Sequence, residues 1–171
     1  MTQPEEPILV DTNTIIEAHR VESLEILVCN YRIETVEECV TETQTGFPNR
    51  PEEQQIDARA LRSSLAIVHF VEDKEKAKLA LQIQGIHLDD GEEKLWAHAL
   101  SRDDMWLLCG PDTASIHAGV RLGFRERLIT LESLFNGIGH NPRIPLRDAY
   151  TERWLRRALD KLVLEETFGP A

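Results

Sequence analysis

Residues 7–13 read Pro-Ile-Leu-Val-Asp-Thr-Asn. Ile8, Leu9 and Val10 follow one another with no polar residue between them, so a strand here is covered on both faces, as in a parallel sheet sandwiched between helices. The run stops abruptly at Asp11, and helical spacing begins at Thr14. A buried strand that ends on an acid and turns at once into a helix is the opening of an α/β unit.

The same grammar repeats outward from this point. Further strands are expected at Tyr31–Thr35, Leu65–Val71, Met105–Cys109 (Met-Trp-Leu-Leu-Cys) and Leu128–Leu131. Between them, apolar residues at helical spacing predict helices over 14–29 (in two pieces), 36–43, 52–63, 74–84, 88–101 and 112–123. Gly46–Pro51 is the clearest loop, and Gly85 follows a helix in the usual terminating position. Strands alternating with helices predict right-handed βαβ units, hence an α/β fold: a three-layer α/β/α sandwich around a central parallel sheet of four or five strands. This domain is expected over 1–140. From 141 on, two prolines precede one amphipathic helix (148–166), so residues 141–171 form a C-terminal helical extension packed on the domain.

Composition narrows the class. The chain has 171 residues, 42% of them hydrophobic and 29% charged, enough for one domain with a core. No apolar run is long enough for a membrane span, and the first residues carry acids where a signal peptide carries Lys or Arg, so a cytoplasmic protein without membrane contact is expected. Cys29, Cys39 and Cys109 stand far apart and read as reduced, mostly buried residues rather than zinc ligands. The six histidines show no ligand spacing. The net charge of −11 argues against coating nucleic acid by bulk attraction. It is uneven, however: residues 1–120 hold 10 Lys/Arg against 23 Asp/Glu, and residues 121–161 hold 9 against 5.

Ligands of an open parallel sheet bind beyond the carboxyl ends of its strands, and acids recur there. Asp11 follows the first strand, and Glu38 and Glu42 share one face of the helix after the second. Asp89, Asp90, Glu92 and Glu93 crowd a helix start, and Asp112 follows the Met105–Cys109 strand within three residues. Singly, each suits a helix cap or a solvated helix face, and Asp89/Glu92 and Asp90/Glu93 both have capping-box spacing. Gathered at one edge, the carboxylates would repel one another unless a cation sat among them. Oxygen donors without His or Cys select Mg²⁺ or Mn²⁺, which can activate water toward a phosphodiester.

Val10-Asp11-Thr12-Asn13 resembles the first strand and first acid of PIN domains. Leu88-Asp89-Asp90-Gly91-Glu92 resembles that family's D-x-G-E helix start, and Leu107 to Ala114 is similar to its fourth strand and final acid. Leu122-Gly123 and Ile129–Leu134 resemble its closing strand and helix. The match covers about residues 7–136. The resemblance implies an endoribonuclease dependent on Mg²⁺ or Mn²⁺, with Asp11, Glu42, Glu92 and Asp112 as catalytic acids. Its metal ligands would be Asp11, an acid of the second helix (Glu38 or Glu42), one of Asp89 and Glu92, and Asp112. Asn13 and Ser115 would support these through hydrogen bonds.

RNA phosphates could lie along Arg121 and the stripe Arg153, Arg156 and Arg157 of the last helix, which is equally the solvated side of a packed helix. The apolar face of that helix could pack on a second copy, giving a homodimer. A protein inhibitor is expected if the chain is the toxin of a toxin–antitoxin pair rather than an RNA-processing enzyme. Two other readings remain. One is a PIN-like module that binds RNA or protein without cutting. The other is a haloacid-dehalogenase-like phosphatase, because Asp11-Thr12-Asn13-Thr14 resembles that family's D-x-D-x-T loop, with Asn13 in place of the proton-transferring acid.

Overall fold

The computed structural model describes residues 5–45 and 49–170. Gly46, Phe47 and Pro48 of the expected loop lie outside the described residues. Five parallel strands form one sheet in the order β3-β2-β1-β4-β5, with β1 at Ile8–Val10, β2 at Ile33–Val36, β3 at Ile67–His69, β4 at Leu107–Cys109 and β5 at Leu128–Ile129. The helices among the described residues are α1 (Thr12–Arg20), α2 (Leu24–Asn30), α3 (Glu37–Gln44), α4 (Ala58–Ser64), α5 (Asp73–Gln82), α6 (Asp90–Ser101), α7 (Thr113–Arg121), α8 (Leu131–Gly137) and α9 (Glu152–Phe168). None is long and apolar enough to cross a membrane.

The opening run behaves as its sequence requires. Ile8 and Val10 enter one apolar cluster, with Ile15 of α1, Leu27 of α2, and Leu134 and Phe135 of α8. Leu9 enters a second on the opposite face, with Leu79 of α5, Leu95 and Trp96 of α6, and Ala118 of α7. Period-two alternation thus feeds two cores, and the three-layer sandwich follows. Trp106 sits in the second cluster and meets Trp96 edge to face, with ring centroids 5.9 Å apart.

Three expectations shift. The helix expected over 52–63 divides into a 3₁₀ turn at Glu52–Gln54 and α4, because Asp57 caps a new start by accepting from the Ala60 amide at 2.7 Å. The last helix starts at Glu152 behind the Thr151 cap rather than at 148, where Asp148–Tyr150 is a 3₁₀ turn. Cys29 is exposed, although Cys39 and Cys109 are buried.

The C-terminal region is tied to the sheet domain by polar bonds as well as by packing. Glu17 of α1, fully buried, accepts from the Arg147 amide (2.9 Å) and from Arg20 (2.7 Å), while Arg20 also donates to the Pro145 carbonyl (2.8 Å). Tyr150 joins the first apolar cluster and donates to the Asn13 carbonyl at 3.3 Å.

Sheet order reverses at β1. The chain runs β1-β2-β3 to one side, then returns to place β4 against the other side of β1. The usual ligand crevice of such sheets opens where two neighbouring connections leave in opposite directions, here beyond the carboxyl ends of β1 and β4.

Candidate metal centre

Asp11 leaves β1 at this crevice and Asp112 leaves β4. Asp11 is 3% exposed and caps α1, its Oδ1 accepting from the Thr14 amide at 2.8 Å. Asp112 caps α7, accepting from the amides of Ala114 (2.8 Å) and Ser115 (3.3 Å). Capping therefore does not compete with a site role: it aims each carboxyl at the same edge. Gly110 makes this approach feasible, since a Cβ there would lie 3.2 Å from the Asp11 carboxyl.

Two helices bring the remaining acids. Of the two capping boxes the sequence offered, Asp89 and Glu92 form theirs: Asp89 Oδ1 accepts from the Glu92 amide at 2.8 Å, and Glu92 Oε2 accepts from the Asp89 amide at 3.4 Å. Asp90 and Glu93 turn outward toward Lys76. On α3, Glu42 is held by the Thr12 hydroxyl (2.7 Å to Oε2) and the Gly91 amide (3.0 Å to Oε1). A Cβ at position 91 would fall 2.6 Å from Glu42 Oε2, so this approach needs glycine. Glu38 takes no part. It pairs with Lys94 at 2.5 Å, so of the two α3 acids the structure brings Glu42 to this edge.

A cavity of about 240 Å³ is bounded by Asp11, Glu42, Asp89 and Glu92, with Asn13 exposed at its rim and Thr45 and Arg50 completing the wall. Its acids repel. Burial, with the charges of Asp89 and Asp112, pushes the Asp11 carboxyl up to about 7 in spite of the bonds from Thr14. Burial, with Asp112, Asp89 and Asp11, pushes Glu92 up to about 8. Among the described residues, none of Asp11, Glu42, Asp89, Glu92 and Asp112 has an ion-pair partner. The donor set is carboxylate oxygen with neighbouring hydroxyls. The nearby thiols of Cys39 and Cys109 are pushed up to about 12, chiefly by burial, and stay protonated. Such a set fits a hard divalent cation such as Mg²⁺ or Mn²⁺ rather than a thiophilic one.

The other expected residues lie apart from this cavity. Ser115 is buried and its hydroxyl accepts from Trp96 Nε1 at 2.8 Å, so it steadies Asp112 through its amide alone. Arg121 ends α7, about 13 Å along the helix from Asp112 at 1.5 Å per residue, and is bound to Glu166 (2.6 Å). Arg153 and Arg157 both pair with Asp148. Arg156 lines a larger, shallower hollow of about 460 Å³ with Arg125, Glu126 and Asp160. That hollow has mixed charge and no convergent carboxylates.

One polar cluster escaped sequence reasoning. Glu34 of β2, His69 of β3 and His98 of α6 each place a ligand-type atom within 4.8 Å of the others. The histidines are 29 residues apart in sequence, so no spacing motif could reveal them. This is first a salt-bridge network. Burial alone would raise Glu34, but hydrogen bonds from His69 (2.7 Å) and Arg102 (2.7 Å), with Arg32 alongside, hold its carboxyl below the usual range. The imidazoles stack at 3.8 Å with planes 23° apart. The rings thus face one another, and Arg102 already donates to His98 Nε2 at 3.1 Å. Two guanidiniums occupy the charge that a cation would need.

Comparison with family models, curated proteins and solved structures gives no match for this chain.

Proposed function

We propose that this protein is a metal-dependent endoribonuclease of the PIN-domain kind. One observation carries the reading: buried, mutually repelling carboxylates without a basic partner meet at the switch point of a parallel sheet. Asp11, Glu42, Glu92 and Asp112 would hold Mg²⁺ or Mn²⁺, with Asp89 at the rim. The bound ion supplies Lewis acidity and charge neutralisation at a phosphodiester.

The chain's own part is positioning. The Thr14 amide fixes Asp11, the Thr12 hydroxyl and Gly91 amide fix Glu42, and the Asp89 cap fixes Glu92. Each of these groups donates to or braces a carboxylate without supplying a counter-charge, so the oxygens are aimed and a bound cation would hold them ionised. Asn13, exposed at the rim, faces arriving substrate, and its carboxamide can hydrogen-bond but cannot transfer a proton.

The test is cleavage of a mixed-sequence single-stranded RNA with Mn²⁺ against EDTA, beside Mn²⁺ titration by calorimetry. Cleavage is expected with Mn²⁺ only. Asp11→Asn and Glu42→Gln should lose a hundredfold or more, on the scale of removing a ligand and its electrostatic stabilisation, while Glu38→Gln keeps its activity. RNA binding without cleavage by any preparation would move the chain to the non-cutting reading. Absence of both cleavage and Mn²⁺ binding would sink the proposal.

A further inference from the structure

Arg50 is the single basic side chain among the described residues lining the acid cavity. It does not pair with any of the carboxylates around it. Its Nη1 donates to the Thr43 carbonyl at 2.5 Å, and its Nη2 to the carbonyls of Thr45 (2.8 Å) and Glu42 (3.4 Å). These are the last carbonyls of α3, the negative end of a helix dipole, where a cation is held without being neutralised. Glu42 belongs to the same turn, so one helix end fixes an acid and a guanidinium in the same wall.

Guanidinium carries five N–H groups in a rigid fork. The carbonyl bonds use Nη1 and Nη2, and the Nε–H has no acceptor among the described residues. A full positive charge with donors to spare, locked in place beside carboxylates, is an anion-binding group. The anion that belongs beside a carboxylate-held cation is a phosphodiester.

Resting on the nuclease reading above, we infer that Arg50 binds a non-bridging oxygen of the phosphodiester presented to the acids, and so positions the RNA strand in the cavity. Arg50 is thus a substrate-positioning residue. The basic stripe of α9, largely paired with Asp148, is secondary.

The experiment measures RNA binding apart from turnover. A fluorescein-labelled single-stranded RNA is titrated by anisotropy onto Asp11→Asn protein with and without a second change at Arg50, over a range of salt. Arg50→Ala is expected to weaken binding about tenfold to a hundredfold, the scale of a charge-assisted hydrogen bond, and to reduce the salt slope by about one phosphate contact. In the otherwise wild-type protein, it should raise KM more than it lowers kcat and leave Mn²⁺ affinity within about twofold, by the same separation of roles. Arg50→Lys restores the charge without the fork, and should recover the salt slope but only part of the affinity. A helix-capping role alone would lower Tm, leave RNA affinity and salt slope untouched, and overturn the inference. If RNA binds and is cut equally well with Ala at position 50, this inference alone falls; if RNA binds to no preparation, the nuclease reading falls with it.

Discussion

Replacing Asp11 with Asn should stabilise the metal-free protein at alkaline pH, and the size of the effect follows from the site. The Asp11 carboxyl stands at about 7 against an ordinary 3.8. A group raised on folding contributes fully below its unfolded value, and that contribution is lost as pH climbs toward the folded value. At about 1.4 kcal/mol per pH unit, the loss between pH 5 and pH 8, which spans the Asp11 titration at about 7, comes to about 3 kcal/mol. The carboxamide of the Asp11→Asn variant keeps the cap and removes this term. Stability should be measured by urea denaturation in EDTA at pH 5 and pH 8 for both proteins, taking the difference of differences. That subtraction cancels His98, whose imidazole burial pushes down to about 4 and which works in the opposite direction below pH 6.5. Wild type should lose about 3 kcal/mol more than the variant, equivalent to roughly 6–12 °C in Tm for a chain of this size. Mn²⁺ at pH 8 should close the gap in wild type alone, by about 2.7 kcal/mol at a hundred times its Kd. A wild-type-minus-variant difference that stays flat between the two pH values would refute the claim that Asp11 lies buried among uncompensated acids.

Gly91→Ala offers a sharper separation of fold from site. Alanine is up to about 1 kcal/mol better than glycine within a helix, yet its Cβ would meet the Glu42 carboxylate at 2.6 Å; thermal denaturation should show stability unchanged or raised while calorimetry shows Mn²⁺ affinity reduced tenfold or more. Glu17→Gln should destabilise by about 1–3 kcal/mol at pH 7, the scale of hydrogen bonds to a charged group. The Glu17 carboxyl sits below its ordinary value because, against the burial that raises it, Arg20 and Arg147 bind it, so its contribution is present above pH 4.5 and the variant's deficit should shrink as pH falls further in acid denaturation scans.

Much of this was legible in the chain because it is local. An unbroken apolar triplet ending on an acid specifies a strand buried on both faces and a cap, and the same logic places Asp112 after β4 and the Asp89/Glu92 box at α6. Legibility stopped where partners are set by packing. The choice between Glu38 and Glu42 depends on which side of α3 meets α6, where Lys94 takes one and the Gly91 amide the other. Arg50 reads in sequence as a loop residue between prolines, and becomes a wall of the cavity only because α3 ends there. The arginines of the last helix stand out in sequence as a stripe, but the 3₁₀ turn before it supplies Asp148 as their counter-charge. His69 and His98 meet because β3 and α6 pack, which no spacing encodes.

Two buried glutamates near opposite ends of α6 give the physical reason for reading the acid edge as a site. Glu34 and Glu92 are 0% and 5% exposed, so both bear the desolvation that disfavours charge. Glu34 receives Arg102, Arg32 and His69, and its carboxyl drops below the usual range. Glu92 receives no guanidinium and has three acids for neighbours instead, and it rises to about 8. Arg102 follows α6 and Glu92 lies in its first turn, so the sequence is able to neutralise a buried acid in this layer and does so at one end only. At the other end the available guanidinium, Arg50, is bound to backbone carbonyls within the same cavity wall. Selection for stability alone would pair these charges. Holding Asp11 and Glu92 buried and unpaired among further acids costs free energy that a divalent cation, under the proposed function, would offset, and that is the pattern expected where function overrides local consistency.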